Sequence, residues 1–90
     1  MYSVKFTNKF KKSYKLMVKR GKDIALLEEV INTLMNGEKL DEKYHDHELA
    51  GTYAGHRECH IQPDWLLIYY IKEYTLVLTL VDTGSHSDLF

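Results

Sequence analysis

One cysteine, one proline and one tryptophan stand among the 90 residues, and the longest apolar run is WLLIYYI, residues 65 to 71. A lone cysteine cannot close an internal disulfide, and a seven-residue run cannot span a bilayer. No stretch has the pattern of a signal peptide, so the chain is expected in the cytoplasm with no membrane partner. Internal repeats and low-complexity tracts are missing as well, which excludes solenoids and disordered arrays. What remains is 44% apolar residues in a chain of this length. That suffices for one small domain, residues 1–90, near the size at which a single core is only just adequate. Cys59 lies in an alternating apolar segment without a nucleophile-elbow context. It reads as a small buried hydrophobe.

The net charge of −1 conceals an asymmetry. Lys5, Lys9, Lys11, Lys12, Lys15, Lys19, Arg20 and Lys22 all precede the first acidic residue, Asp23, and make up eight of the twelve basic residues. From Asp23 to Glu48 the balance reverses, with only Lys39 and Lys43 against eight acids. A basic stripe of this density suits a phosphate backbone or an acidic protein, although a solvated helix face has the same pattern.

Residues 2 to 6 alternate as a short strand, and Thr7 or Asn8 can cap a helix carrying Phe10, Tyr14 and Met17 at helical spacing up to Gly21. Asp23 can cap a second helix with Ile24, Leu27, Ile31 and Leu34 on its buried face and Asn36-Gly37 as its stop. The polar stretch from Glu38 to Gly55 reads as a loop. Three strand-like runs follow, HRECHI (56 to 61), WLLIYYI (65 to 71) and TLVLTLV (75 to 81), joined by tight reversals. The expected fold is α+β, ordered β-α-α-β-β-β, with a helical hairpin packed on one face of a small, mainly antiparallel sheet.

Polar side chains gather in the second half. Along HRECHI, His56, Glu58 and His60 point one way and Arg57, Cys59 and Ile61 the other. If the helices cover the odd-numbered side, the open side presents His60 to the His47 loop and to the His86 segment. Three chemistries could use such a group. His45-x-His47 has ligand-like spacing, but the sequence supplies no fixed third ligand, so no metal and no cofactor are expected. Nucleophilic catalysis lacks its sequence context. General acid-base cleavage of RNA needs only a base for the 2′-hydroxyl, an acid for the departing 5′-oxygen and positive charge near the phosphate. Imidazole, titrating near 6.5, serves both proton roles at neutral pH. The same face could equally be a binding surface without chemistry.

The segments DHELAGTYAGHRECHIQPDWLLIY (46 to 69) and TGSHSDLF (83 to 90) resemble the signature stretches of the YafQ branch of the RelE toxin superfamily. The preceding strand and helices fit that family's layout, so the resemblance spans nearly the whole chain and implies a RelE-like fold. It implies a type II toxin: a small endoribonuclease that enters the ribosomal A site and cuts translated messenger RNA. It also implies a DinJ-like antitoxin partner, with operator DNA reached only through that antitoxin.

Carried over by motif, the resemblance picks out His47 in DHEL, His60 in ECHIQ, Asp64 and Trp65 in PDW, and His86 and Phe90 in GSHSDLF. It implies His86 as general acid, with Asp64, His60 and His47 sharing base, orienting and phosphate-binding roles. Trp65 would be a stacking platform for a base, against the plainer reading of core packing. Phe90 would position the His86 segment or stack on a nucleotide. In this layout Lys9, Lys11, Lys12, Lys15, Lys19 and Arg20 would grip ribosomal RNA.

Many relatives carry arginine immediately before TGSH, where this chain has Asp82. Arg57 is the nearest replacement in sequence for the lost charge at the substrate phosphate, with an ion pair to an acid of the second helix or of the partner as its structural alternative. Asp82 either repels phosphate or hydrogen-bonds His86. The alternative function is a relative that binds antitoxin or ribosome without cleaving.

Overall fold

The computed structural model describes residues Met1–Phe90. Strand β1 (Ser3–Phe6) leads into helix α1 (Asn8–Lys19), and helix α2 (Ile24–Met35) follows after a short turn. Thr7 accepts the Phe10 N–H and caps α1, and Asp23 accepts the Ala25 N–H and caps α2. Gly21 and Gly37 end the two helices in the left-handed conformation that side chains resist.

The stretch read as loop is not wholly irregular. It holds a two-residue strand, β2 (His47–Glu48), between 3-10 turns at Glu42–Tyr44 and Gly51–Tyr53. So short a strand carries no periodicity to read, and its pairing with β3 (Arg57–Gln62) creates it. Strand β4 (Trp65–Lys72) and strand β5 (Val77–Gly84) complete a five-stranded sheet in the order β1-β5-β4-β3-β2. All neighbours are antiparallel except β1 and β5, which run parallel. Strand β5 starts two residues later than its apolar run, because Leu76 takes a left-handed turn conformation, and it continues through Thr83 and Gly84. A final short helix, α3 (His86–Leu89), follows directly.

The helices pack on one face over Cys59, Ile61, Trp65, Leu67, Tyr69, Leu78 and Leu80, with Phe10, Met17, Leu27, Val30 and Leu34 supplied from the helix side. The even-numbered residues of β3 face away, as their alternation requires. A bulge between Ile68 and Tyr69 of β4, opposite Val81, resets the register of β5, so that Asp82 lies across from Ile68 on the open face. There a smaller apolar cluster of Leu66, Ile68 and Leu89 seats α3 on the sheet. No helix is long and apolar enough to cross a membrane.

Candidate active site

Four elements bring imidazoles together on the open face. His47 lies directly across from Glu58, and His60 across from Leu66, whose other neighbour is Gly84 at the start of the His86 segment. The ring centre of His60 is 5.7 Å from that of His86, 5.7 Å from that of His45 and 6.2 Å from that of His47. His56, although on the same strand face as His60, packs on Tyr70 and Tyr53 instead and stands outside this group.

His86 is oriented by Asp64 of the β3–β4 turn. One oxygen of Asp64, Oδ1, lies 2.7 Å from His86 Nδ1 and 3.0 Å from its backbone N–H. A carboxylate only accepts, so Nδ1 holds the hydrogen and Nε2 is the nitrogen left to exchange a proton. The backbone bond first, and then the side-chain bond, lower the Asp64 pKa below its ordinary value. His47 is set the same way: its Nδ1 lies 2.7 Å from the His45 carbonyl oxygen, leaving Nε2 toward Glu58.

Glu58 is the buried acid of the site, 4% exposed. Its Oε1 is 3.5 Å from Nε2 of both His47 and His60, while Oε2 is buried with no hydrogen-bond partner. An unpartnered buried carboxylate oxygen is destabilising by about 1–3 kcal/mol or more. Sequence reasoning noted Glu58 on the His60 face but assigned it no role, and omitted His45; the HxH spacing was the available signal for the latter. No metal site was expected from the sequence, yet the ligand atoms of His47, Glu58 and His60 lie within 4.8 Å of one another. Two imidazoles and a carboxylate are a donor set suited to zinc or copper, and the orphaned Oε2 fits that use.

The segment carrying His86 is fastened at several points. Leu89 is buried on Leu66 and Ile68. Ser85 and Asp88 form a reciprocal capping box, and Asp88 also takes a two-pronged contact from Arg20 at 2.6 and 3.1 Å. That bond first, then the Ser85 backbone N–H, depress the Asp88 pKa far below the carboxylate range. Gly84 makes this possible, since a Cβ there would fall 2.8 Å from Asp88 Cβ. Phe90 is exposed and meets Tyr53 edge-on at 5.9 Å.

Three expected roles meet different surroundings. Trp65 is wholly buried in the helix-side core, its indole N–H donating to Thr83 at 3.0 Å, so it offers no stacking platform. Arg57 is held on the opposite side by Asp46 at 3.2 Å and by Glu48 at 3.5 Å. It is not brought to the histidines, and its partners lie in the β2 segment and not on the second helix. Asp82 does not bond His86: it accepts from Ser13 Oγ and the Thr83 N–H, and lies 3.5 Å from Lys9 Nζ. Of the six basic residues assigned to RNA, Lys11, Lys12, Lys15 and Lys19 are exposed on α1, whereas Lys9 and Arg20 engage Asp82 and Asp88. Burial pushes the Cys59 thiol up, which keeps it protonated and inert.

The family model for YafQ, a bacterial toxin of type II toxin-antitoxin systems, matches residues 2–90. The mRNA interferase toxin YafQ of Escherichia coli K12 is 35% identical over 88 residues, covering 97% of this chain and 94% of its own. Among solved structures, a metal-bound toxin from Helicobacter pylori superposes with a TM-score of 0.94 at 44% identity, over all of both chains. A chain of the E. coli DinJ-YafQ complex superposes with a TM-score of 0.91 at 34% identity, over 100% of this chain and 99% of its own. With its sheet, helical hairpin and histidine group all laid out along that shared length, this chain belongs to the YafQ family of type II toxins.

Proposed function

We propose that this protein is a ribosome-dependent endoribonuclease of translated messenger RNA, acting in the cytoplasm and neutralised by a DinJ-like antitoxin. The observation that carries this reading is the Asp64–His86 pair, which presents the free Nε2 of His86 on the same sheet face as His60, with ring centres 5.7 Å apart. Two separately positioned imidazoles are what an internal phosphoryl transfer requires.

His60, with Glu58 beside it, takes the proton from the substrate 2′-hydroxyl. The resulting oxygen attacks the adjacent phosphorus, closing a 2′,3′-cyclic phosphate as the bond to the 5′-oxygen breaks. His86 Nε2 gives its proton to that departing oxygen, and Asp64 stabilises the ring in the required orientation. Each proton transfer contributes roughly 10²–10⁴-fold. His47 stands next to Glu58 as a donor to the phosphate. A metal ion held by His47, Glu58 and His60 would instead occupy the lone pairs that these imidazoles use in the proton transfer, and would supply Lewis-acid charge in their place.

The non-cleaving alternative rested on Asp82. Its carboxylate is buried and satisfied by Ser13, Thr83 and Lys9, which favours the active reading.

The exposed lysines of α1 form the surface for ribosomal RNA. Lys11 and Lys15 also flank a groove of about 630 Å³ floored by Phe6, Phe10, Tyr14, Leu27 and Ile31. An acidic amphipathic segment of the antitoxin seated there would cover the same lysines, blocking ribosome access; operator DNA is then reached only through the antitoxin. Primer extension on a reporter messenger after brief induction tests the main reading. Translation-dependent cuts that vanish with His86→Ala are expected; an uncut messenger in the presence of soluble wild-type protein would overturn it.

A further inference from the structure

Beyond the histidine group, the open sheet face carries a chain of rings that the proposed chemistry leaves unused. Phe90 meets Tyr53 at 5.9 Å, Tyr53 meets His56 at 5.7 Å, and His56 meets Tyr70 at 5.2 Å, every pair edge to face. Edge-to-face contact leaves one face of a ring free, and none of the four is fully buried. Tyr70 pairs across the sheet with Thr79, and Thr79 with Lys5, so the row ends on a cation. Tyr70, Lys5 and Lys72 line a cleft of about 470 Å³ whose walls contain no carboxylate. Midway, Lys9 Nζ lies 3.5 Å from the Tyr53 hydroxyl.

We propose that this row is an extended subsite for single-stranded RNA, in which successive bases rest on the rings and the phosphates meet Lys5 and Lys72. The proposal rests on the ribonuclease reading and adds where the substrate runs beyond the scissile bond. From Leu66, beside His60, to Tyr70 is four residues of strand, about 13 Å. That is a span of a few nucleotides at roughly 3.4 Å per stacked step. Half-exposed rings interleaved with lysines are the means by which proteins hold single strands without reading their sequence, because every base has a π face. A duplex could not lay its bases on these rings, which makes the subsite selective for unpaired RNA. An acidic peptide could use the lysines but not the ring faces.

The test is fluorescence anisotropy on the full chain carrying His86→Ala, which keeps the RNA intact, with labelled single-stranded RNAs of three and nine mixed nucleotides. The nine-mer should bind more tightly than the three-mer. Tyr70→Leu should weaken the nine-mer by roughly fivefold or more while leaving the three-mer unchanged, and Tyr70→Phe should restore it. Lys5→Ala and Lys72→Ala, at exposed sites that do not endanger folding, should each reduce the salt slope by about 0.7. Equal affinity for the two lengths, no binding of either, or loss of antitoxin binding alone in the Tyr70 variants would overturn the proposal. Cleavage of the reporter messenger separates the two ideas. If His86→Ala abolishes cutting while Tyr70→Leu alters neither binding nor cutting, the acid-base reading stands and the RNA subsite falls. If the His86→Ala chain still cuts, the catalytic reading falls and the subsite loses its basis with it.

Discussion

The two faces of one sheet, built from the same strands, are governed by different physics. On the helix side, Cys59, Leu67, Tyr69 and Leu80 close a continuous apolar core with α1 and α2. On the other side, the alternate residues are Glu58, His60 and Tyr70, covered only where α3 sets Leu89 onto Leu66 and Ile68. The first face is satisfied by burial, with its few polar atoms paired: the Trp65 indole N–H donates to Thr83 and the Tyr69 hydroxyl to Asp46. The second keeps a buried carboxylate oxygen without a partner and holds imidazoles close together, an arrangement that lowers stability and that the proposed chemistry would use. Folding strength and chemistry are thus separated across the thickness of a single layer, and substitutions on the two faces should fail in different ways.

The largest expected effect is on the open face. His86→Ala should reduce messenger cleavage by roughly 10²–10⁴-fold with thermal unfolding unchanged, since the side chain is exposed. Full cleavage in that variant would remove His86 from its role. His60→Ala should fall in the same range, and the double variant should lose little more than either single one.

Next comes the fastening of the His86 segment. Gly84→Ala forces a Cβ against Asp88 and should displace the capping box with it; a misplacement of about 1 Å can lower the rate on the order of 10²-fold. Arg20→Ala, which removes the partner of Asp88 but adds no clash, should give a smaller loss in the same kinetic assay. If Gly84→Ala cleaves normally, α3 does not need its observed seat.

The comparison sharpens when stability is read beside activity. Leu67→Ala on the covered face should destabilise by about 2–5 kcal/mol in urea unfolding and lose activity only as the fold is lost. Glu58→Gln on the open face should do the reverse, raising the unfolding midpoint while cleavage falls. A Glu58→Gln chain that is less stable and fully active would erase the contrast between the faces.

The smallest expected effect is an acid transition confined to the His86 segment. Asp64 and Asp88 both have pKa values below their ordinary ones because of bonds to His86, and to Arg20 and Ser85. A carboxylate depressed in the folded state stabilises it at pH above its unfolded value near 4, and that contribution disappears as pH falls through the folded value. The Leu89 methyl signals should therefore move progressively toward an unfolded-like position as pH falls from about 4 toward the depressed folded values, while core signals persist, and Asp88→Asn should reduce that pH dependence to the part carried by Asp64.

Much of this was legible in the chain because it is local. Thr7 and Asp23 act as caps, Gly21 and Gly37 as helix ends, and the alternation of HRECHI assigns its two faces. Alternation put His60 on the open face, within reach of the segments carrying His47 and His86, whereas Asp64 and the role of each group came only from the family resemblance. Strand β2 carries no readable period in two residues. For Trp65 the plainer reading, core packing, is the one the structure has, and for Arg57 it is the ion pair, though with Asp46 and Glu48 and not an acid of the second helix, because a side chain's partners are set by distant residues.

By itself the sequence determined the order of the two long helices and the four longer strands, their apolar faces, the polarity of charge along the chain and the residue types available for chemistry. All of these follow from periodicity and short-range hydrogen bonding. Only the tertiary structure decided which of those residues meet. The bulge opposite Val81 set Asp82 across from Ile68, where Ser13 and Lys9 and not His86 meet its carboxylate, the pairing of β2 with β3 set His47 across from Glu58, and Gly84 let Asp88 fold back under Arg20. Register and close approach are properties of pairs remote in sequence, so no local pattern could have carried them.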